Sequence, residues 1–130
     1  MLGQTPAFSG FAVDDLAAAR RFYEDVLGLR TSSPAEGVPL LTLHLAGEAG
    51  ERPTLVYEKP DHTPATYTVL NFRVDDVPAT VDALAARGVG FLRYDGFDQD
   101  ERGISRREGG PEIAWFADPA GNVFAVLAGD

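Results

Sequence analysis

The sequence Phe-Ala-Val-Asp-Asp-Leu at residues 11–16 returns as Phe-Arg-Val-Asp-Asp-Val at residues 72–77. Each copy ends a short apolar run and begins a stretch with apolar residues at helical spacing, which ends at Gly28 or Gly88. The aspartates predict helix N-caps, because a short carboxylate accepts hydrogen bonds from the free N–H groups of the first turn. The repeat therefore predicts a pseudo-symmetric protein with any site between its halves.

Outward from the repeat, the same order of elements is predicted twice: a strand, a helix and three strands. The apolar runs predict strands at residues 7–13, 29–31, 40–46 and 54–58, then at 67–74, 89–94, 113–117 and 123–127. Residues 95–112 are polar and glycine-rich, which predicts an irregular loop of the length used for lids and binding loops. We expect a single α+β domain over residues 1–130, built of two modules at about 5–60 and 65–130.

Composition limits the possible partners. The chain has 20 acidic and 11 basic residues and a formal charge of -9, which argues against nucleic acid. The acidic excess either serves to keep the protein in solution, which is the simpler interpretation, or attracts cationic ligands. It has no cysteine, no apolar run long enough to span a membrane, and an N-terminus unlike a signal peptide. We therefore expect a cytoplasmic protein that binds neither nucleic acid nor membrane.

Two longer motifs carry a family resemblance. They are Arg-Phe-Tyr-Glu-Asp-Val-Leu-Gly-Leu at residues 21–29 and Ala-Trp-Phe-Ala-Asp-Pro-Ala-Gly-Asn at residues 114–122. With the repeated Val-Asp-Asp, they resemble the vicinal-oxygen-chelate superfamily, which includes glyoxalases, extradiol dioxygenases, and bleomycin- and fosfomycin-resistance proteins. The resemblance implies paired βαβββ modules, whose eight strands form a cupped mixed sheet, usually in a homodimer.

The metal positions implied by this resemblance hold hydrocarbon side chains. Counting from the motifs, they fall at Phe8, at Val69, at Leu55 or Val56, and at Ala125. A divalent cation needs imidazole nitrogen or carboxylate oxygen, which none of these residues offers. We expect no metal and no cofactor, although a relocated site using His44 and Glu58 stays open.

Period two along the strands predicts a pocket of aromatic and aliphatic side chains with a few polar groups. Trp115 is either a stacking platform for a ligand or a filler between sheets, and His44 is either a pocket residue or an ordinary hydrogen-bonded histidine. The residues expected to line the pocket are Phe8, His44, Tyr57, Val69, Asn71, Ile113, Trp115 and Ala125.

The leading hypothesis is metal-free binding of a small hydrophobic or aromatic molecule, with a cationic molecule favoured by the acidic charge. The alternative is a metal-dependent lyase or dioxygenase of the same superfamily. A metal-free enzyme using Tyr57, His44 or a loop carboxylate, and a dimeric interaction module, also stay open. No serine is placed near a histidine in the sequence, so we expect no nucleophile–base pair and assign no catalytic residue.

Overall fold

Each copy of the repeat builds a four-stranded sheet, and the two sheets have the same strand order. A computed structural model describes residues 1–129, which form two compact units, Met1–His62 and a second that begins at Thr63. Both units combine one mixed sheet with one helix, which confirms the α+β class.

The first unit begins with a 3₁₀ turn at Leu2–Gln4. Its elements are β1 (Ser9–Val13), α1 (Leu16–Arg21), a π-helical turn (Phe22–Val26), β2 (Arg30–Ser32), β3 (Leu40–Gly47) and β4 (Gly50–Glu58). The sheet order is β1-β4-β3-β2. β1 runs parallel to β4, and the other pairs are antiparallel.

The second unit repeats this plan. Its elements are β5 (Thr68–Val74), α2 (Val77–Ala86), β6 (Ser105–Arg106), β7 (Glu112–Ala117) and β8 (Val123–Ala128). The sheet order is β5-β8-β7-β6, and β5 runs parallel to β8. The predicted order of one strand, one helix and three strands is therefore present in both units.

The aspartate of each repeat caps its helix as predicted. An Asp15 carboxylate oxygen accepts the Ala18 N–H at 3.1 Å, and Asp76 accepts the Ala79 N–H at 3.0 Å. The bonds satisfy backbone donors that the first helical turn leaves free.

One face of each sheet packs against its own helix. In the first unit, Leu41 and Leu43 of β3 are buried on the face that meets α1, while Thr42 and His44 point to the opposite face. In the second unit, the rings of Phe116 and Phe124 meet at 5.7 Å on the face that meets α2. The neighbouring residues of these strands therefore form a separate face, opposite each helix.

Two local predictions are wrong: the strand at residues 89–94 and the wholly irregular loop at residues 95–112. The strand expected at residues 89–94 is reduced to one bridge, between Phe91 and Phe116, and the short edge strand β6 lies instead within the stretch predicted as loop. In β5, Thr68 pairs with Val123 and Leu70 with Phe124, so Val69 is the extra residue of a bulge. The bulge breaks the period-two alternation on which the placement of Val69 depended.

Candidate functional site

Trp115 lies in the middle of β7, on the face opposite α2. It pairs with Ala125 of β8, which pairs in turn with Asn71 of β5, so these residues form one row across the sheet. Trp115 is only 9% exposed, although no helix covers this face in the second unit. The cover must therefore come from loop residues.

Two aromatic rings of the loop after α2 pack edge-to-face on Trp115. The Tyr94 ring lies 5.4 Å from the indole at 86°, and the Phe97 ring lies 5.2 Å away at 63°. Aromatic pairs favour this geometry because the positive edge of one ring meets the negative face of the other. The three rings therefore form a cluster, here called the Trp115 cluster, with Tyr94 and Phe97 still 37% and 40% exposed.

The side chain of Gln99 holds this loop in place. Its carbonyl oxygen accepts the Tyr94 N–H at 2.8 Å, and its amide nitrogen donates to the backbone oxygens of Leu92 at 2.9 Å and Gly103 at 2.8 Å. The part-buried amide thus bridges both ends of the segment that carries Tyr94 and Phe97.

Charged side chains fix the next part of the loop. Asp100 accepts the Ile104 N–H at 3.0 Å and also binds the Arg106 guanidinium. The pKa of the Asp100 carboxyl is lowered, chiefly by the hydrogen bond from Arg106. Arg102 donates to Asp82 of α2 at 2.8 Å, which ties the loop to the helix.

Two cavities border the Trp115 cluster. The larger, of about 350 Å³, lies among residues 107–111, Phe97, Ile113 and Trp115. The smaller, of about 250 Å³, is lined by Thr66, Tyr67, Thr68, Tyr94, Phe97, Trp115 and Val123. Phe97 and Trp115 line both, so the two cavities adjoin at these rings.

The two cavities differ in charge. Arg107 and Glu108 contribute to the larger one, and the Arg107 guanidinium lies 5.6 Å from the centre of the Phe97 ring. Of the described residues that line the smaller cavity, none is charged, and four are aromatic. The smaller cavity therefore offers ring surfaces and two threonine side chains.

The predicted pocket residues of the second unit fall into two groups: those that line a cavity and those that only share the sheet face with Trp115. Ile113 and Trp115 line the cavities, whereas Asn71 and Ala125 lie on the same sheet face in the Trp115 row. Thr68 lines the smaller cavity where Val69 was expected, because Val69 is the bulged residue.

The predicted pocket residues of the first unit are Phe8, His44 and Tyr57. Phe8 precedes β1 and is 72% exposed. Tyr57 lies on the face of the first sheet opposite α1, paired with Ala12 and Leu40. His44 lies on the same face and has two polar partners.

His44 bridges a hydroxyl and a carboxylate on neighbouring strands. Its Nε2 lies 2.7 Å from Ser32 Oγ, and its Nδ1 lies 3.0 Å from Glu51 Oε2. The other Glu51 oxygen accepts from Arg30 at 2.7 Å. The pKa of the Glu51 carboxyl is lowered, first by the hydrogen bond from His44. The expectation that no serine lies near a histidine is therefore wrong.

The relocated metal site of His44 and Glu58 is not formed. Glu58 lies on the opposite face of the sheet from His44, where its carboxylate accepts the Leu16 N–H of α1 at 3.0 Å. Among residues 1–129, no group of three or more His, Cys, Asp or Glu side chains is placed to hold a metal ion.

The positions that the resemblance assigns to metal ligands do not fit a cation. Val56 is fully buried against α1, Leu55 is aliphatic, and Ala125 is a buried methyl group within the Trp115 row. These side chains have no donor atom to replace the water of a divalent ion.

Sequence reasoning missed Tyr67, Tyr94 and Phe97. Tyr67 and Tyr94 stand at the ends of predicted strands, but the structure places all three residues outside regular strands. The available signal was the pair of aromatic residues around Asp95-Gly96, in a stretch that is otherwise polar.

No helix among the described residues is long and apolar enough to cross a membrane.

Comparison with known proteins identifies a family and several solved structures with a similar fold. The sequence model of the Glyoxalase/Bleomycin resistance protein/Dioxygenase superfamily matches residues 7–126. No curated protein matches the chain at a significant level. Solved structures do match it over nearly their whole length.

Three of these structures carry informative names. The antibiotic-binding protein TnmS3 from Streptomyces sp. CB03234 is 25% identical, with a TM-score of 0.64 and 98% of each chain covered. Lactoylglutathione lyase from Agrobacterium tumefaciens is 23% identical, with a TM-score of 0.65 and coverage of 96% of this chain and 94% of that one. The fosfomycin resistance protein FosX from Listeria monocytogenes is 16% identical, with a TM-score of 0.70 and coverage of 98% and 94%.

Proposed function

This chain belongs to the Glyoxalase/Bleomycin resistance protein/Dioxygenase superfamily, and from that premise we propose that it binds a small aromatic or hydrophobic molecule at the Trp115 cluster without a metal. The observation that carries the proposal is the position of Trp115, which packs against two edge-to-face rings and lines two cavities. Membership alone does not select this function, because one fold hosts several chemistries.

The cavities suit a small, mostly apolar ligand. Small-molecule sites are concave, lined by apolar and aromatic groups, and about 300–1,000 Å³ in volume. The larger cavity, at about 350 Å³, falls within that range, and the smaller adds an aromatic lining next to it. A planar ring stacked on Trp115 or Phe97 would bury apolar area on both partners.

A positive charge on the ligand is favoured by two observations. The chain carries a formal charge of -9, and aromatic faces attract cations that lie within about 6 Å of the ring centre. The Arg107 guanidinium lies 5.6 Å from the Phe97 ring in the larger cavity, and a second cation there would be repelled. We therefore assign a cationic group of the ligand to the smaller cavity, whose described lining is aromatic and uncharged.

Metal independence is supported by the hydrocarbon side chains at the implied ligand positions. Lactoylglutathione lyase and FosX share the fold with this chain, but at 23% and 16% identity that likeness extends to the fold alone. TnmS3, described as an antibiotic-binding protein, is 25% identical. Its name supports binding rather than turnover as the role of this chain.

Adding candidate ligands while recording the fluorescence of the single tryptophan tests the proposal. We expect a library of aromatic cations and neutral aromatics to contain compounds that quench or shift Trp115 emission. The same compounds should release or absorb heat on binding in isothermal titration calorimetry. The pair phenyltrimethylammonium and tert-butylbenzene separates charge from shape, and the cation should bind more tightly. Absence of binding across the library by both methods would refute the proposal, and equal binding of the pair would refute its cationic part.

The homodimer and the cytoplasmic location remain predictions of the resemblance and the composition. Light scattering on a size-exclusion column measures the molar mass, and a monomer at all concentrations would contradict the dimer.

A further inference from the structure

Ser32, His44 and Glu51 lie on three neighbouring strands and on one face of the first sheet. The chain order β2-β3-β4 places a hydroxyl, an imidazole and a carboxylate side by side, opposite the face that packs on α1. The two links are 2.7 Å from Ser32 Oγ to His44 Nε2 and 3.0 Å from His44 Nδ1 to Glu51 Oε2. Both distances are those of direct hydrogen bonds.

The Glu51 carboxylate fixes the direction of its bond with His44, and the direction of the bond with Ser32 follows for a neutral imidazole. An ionised carboxylate can only accept a hydrogen bond, so His44 Nδ1 carries the proton that Glu51 accepts. In the neutral imidazole, Nε2 is then an acceptor and receives the O–H of Ser32. Hydroxyl, base and orienting acid thus stand in the order that activates a nucleophile.

Two further features suit this arrangement to reaction rather than to packing. Arg30 holds the second Glu51 oxygen at 2.7 Å, which orients the carboxylate toward the imidazole. Ser32 is exposed and His44 keeps 23% of its side chain accessible, so a small reagent can reach Oγ. Arg30 is also on the same strand face as Ser32, where its positive charge favours an oxygen that becomes negative.

We propose that Ser32 is a nucleophile for acyl transfer, with His44 as its general base and Glu51 as a positioning residue for His44. Ser32 Oγ forms a bond to the carbonyl carbon of a small activated ester while its proton passes to His44 Nε2. The bond from that carbon to the leaving alkoxide or phenoxide then breaks, and His44 returns the proton to the leaving oxygen. Water, activated in the same way, cleaves the acyl-serine to a carboxylic acid and restores the hydroxyl.

Acetylation by p-nitrophenyl acetate tests the step directly. In acid-quenched samples we expect the protein to carry one acetyl group that peptide mapping places on Ser32, and we expect an initial burst of one p-nitrophenolate per chain before the slower release that follows hydrolysis. Ser32→Ala should abolish this label, His44→Gln should slow it by about 10²-fold, as expected for loss of a general base, and Glu51→Gln should slow it less. Ser33→Ala, the adjacent serine, is the matched control and should label normally.

Acetylation of amines is easily distinguished from acetylation of Ser32, because the chain has one lysine, Lys59, and one N-terminus. Label found only at those amines, or at Ser32 with an unchanged rate in His44→Gln, would overturn the proposal. Circular dichroism and thermal melting of each variant show whether it is folded.

A second measurement does not depend on turnover. The chain has no cysteine, so Ser32→Cys introduces a single thiol beside His44, and Ser33→Cys introduces one outside the bonded cluster. Iodoacetamide should alkylate the first at least tenfold faster than the second near neutral pH, because an adjacent imidazole promotes the thiolate. The advantage should vanish when His44→Gln is added. Equal rates for the two thiols would overturn the proposed role of His44.

Discussion

Replacing Gln99 by alanine should release the loop that holds Tyr94 and Phe97 against Trp115. Gln99 makes three hydrogen bonds of 2.8, 2.9 and 2.8 Å, to the N–H of Tyr94 and to the backbone oxygens of Leu92 and Gly103. Alanine makes none of them. The effect should fall on the loop, because Gln99 lies outside the core strands.

The size of the effect follows from the number of bonds. A net contribution of about 0.5–1.5 kcal/mol for each bond gives roughly 1.5–4.5 kcal/mol of local ordering free energy. Water will satisfy the freed groups in part, so we take the lower end. A loss of about 1.5 kcal/mol corresponds to a roughly tenfold weaker affinity for a ligand that needs the ordered loop.

The emission of the single tryptophan measures this directly. In Gln99→Ala we expect red-shifted emission, greater acrylamide quenching and a weaker near-ultraviolet dichroism signal, because Trp115 loses its two ring neighbours. Gln4→Ala, at the only other glutamine, is the matched control and should leave all three unchanged. Wild-type quenching and wild-type ligand affinity in Gln99→Ala would refute the argument that this amide positions the cluster.

Three further changes test the second unit and its loop. Asp118→Ala should lower the free energy of unfolding in urea by about 2–4 kcal/mol, since its buried Oδ1 accepts two backbone N–H bonds at 3.0 and 2.8 Å; Asp118→Asn should cost less, and equal losses would contradict this. Gly121→Ala should lower the melting temperature, because its φ is 87° and a Cβ would lie 2.8 Å from a proline ring carbon, whereas Gly90→Ala, with nothing within 4 Å, should not. Arg106 is the chief cause of the lowered pKa of Asp100 in the folded state, so the ionised carboxylate stabilises the fold at pH values above its unfolded pKa of about 3.9. This stabilisation is lost as the pH falls through the folded pKa. Asp100→Asn should therefore flatten the decline of the melting temperature below about pH 4, and an unchanged decline would contradict this.

The parts of the fold that sequence predicted are those governed by local chemistry. Asp15 and Asp76 cap their helices because the carboxylate needs only the adjacent N–H groups. The turn after β7 has the sequence Asp-Pro-Ala-Gly, which is typical of a type I turn, and the Gly121 N–H donates to the Asp118 backbone oxygen at 2.9 Å. The repeated strand order followed from the repeat itself.

The errors arose where a distant contact overrides the local pattern. The apolar run at residues 89–94 predicts a strand, but Gln99 and the rings of the Trp115 cluster hold the segment as an irregular loop. Period two placed Val69 toward the pocket, and the bulge puts Thr68 there instead. Neither the bulge nor the path of a loop has a periodic signature.

The approach of Ser32 to His44 could not be predicted from the sequence either. The two residues are twelve positions apart, and their contact depends on the register in which Arg30 pairs with His44 and Ser32 with Thr42. A shift of one residue would send Ser32 to the opposite face. Register is set by the buried faces of the neighbouring strands rather than by the serine or the histidine.

Calorimetric titration of the strongest aromatic binder into chelator-treated protein tests the central claim most directly. The Kd should be the same with and without added Mn²⁺, Ni²⁺ or Zn²⁺, and binding should be lost in folded Trp115→Ala. Binding that appears only after a metal is added, or that is unchanged in Trp115→Ala, would contradict it.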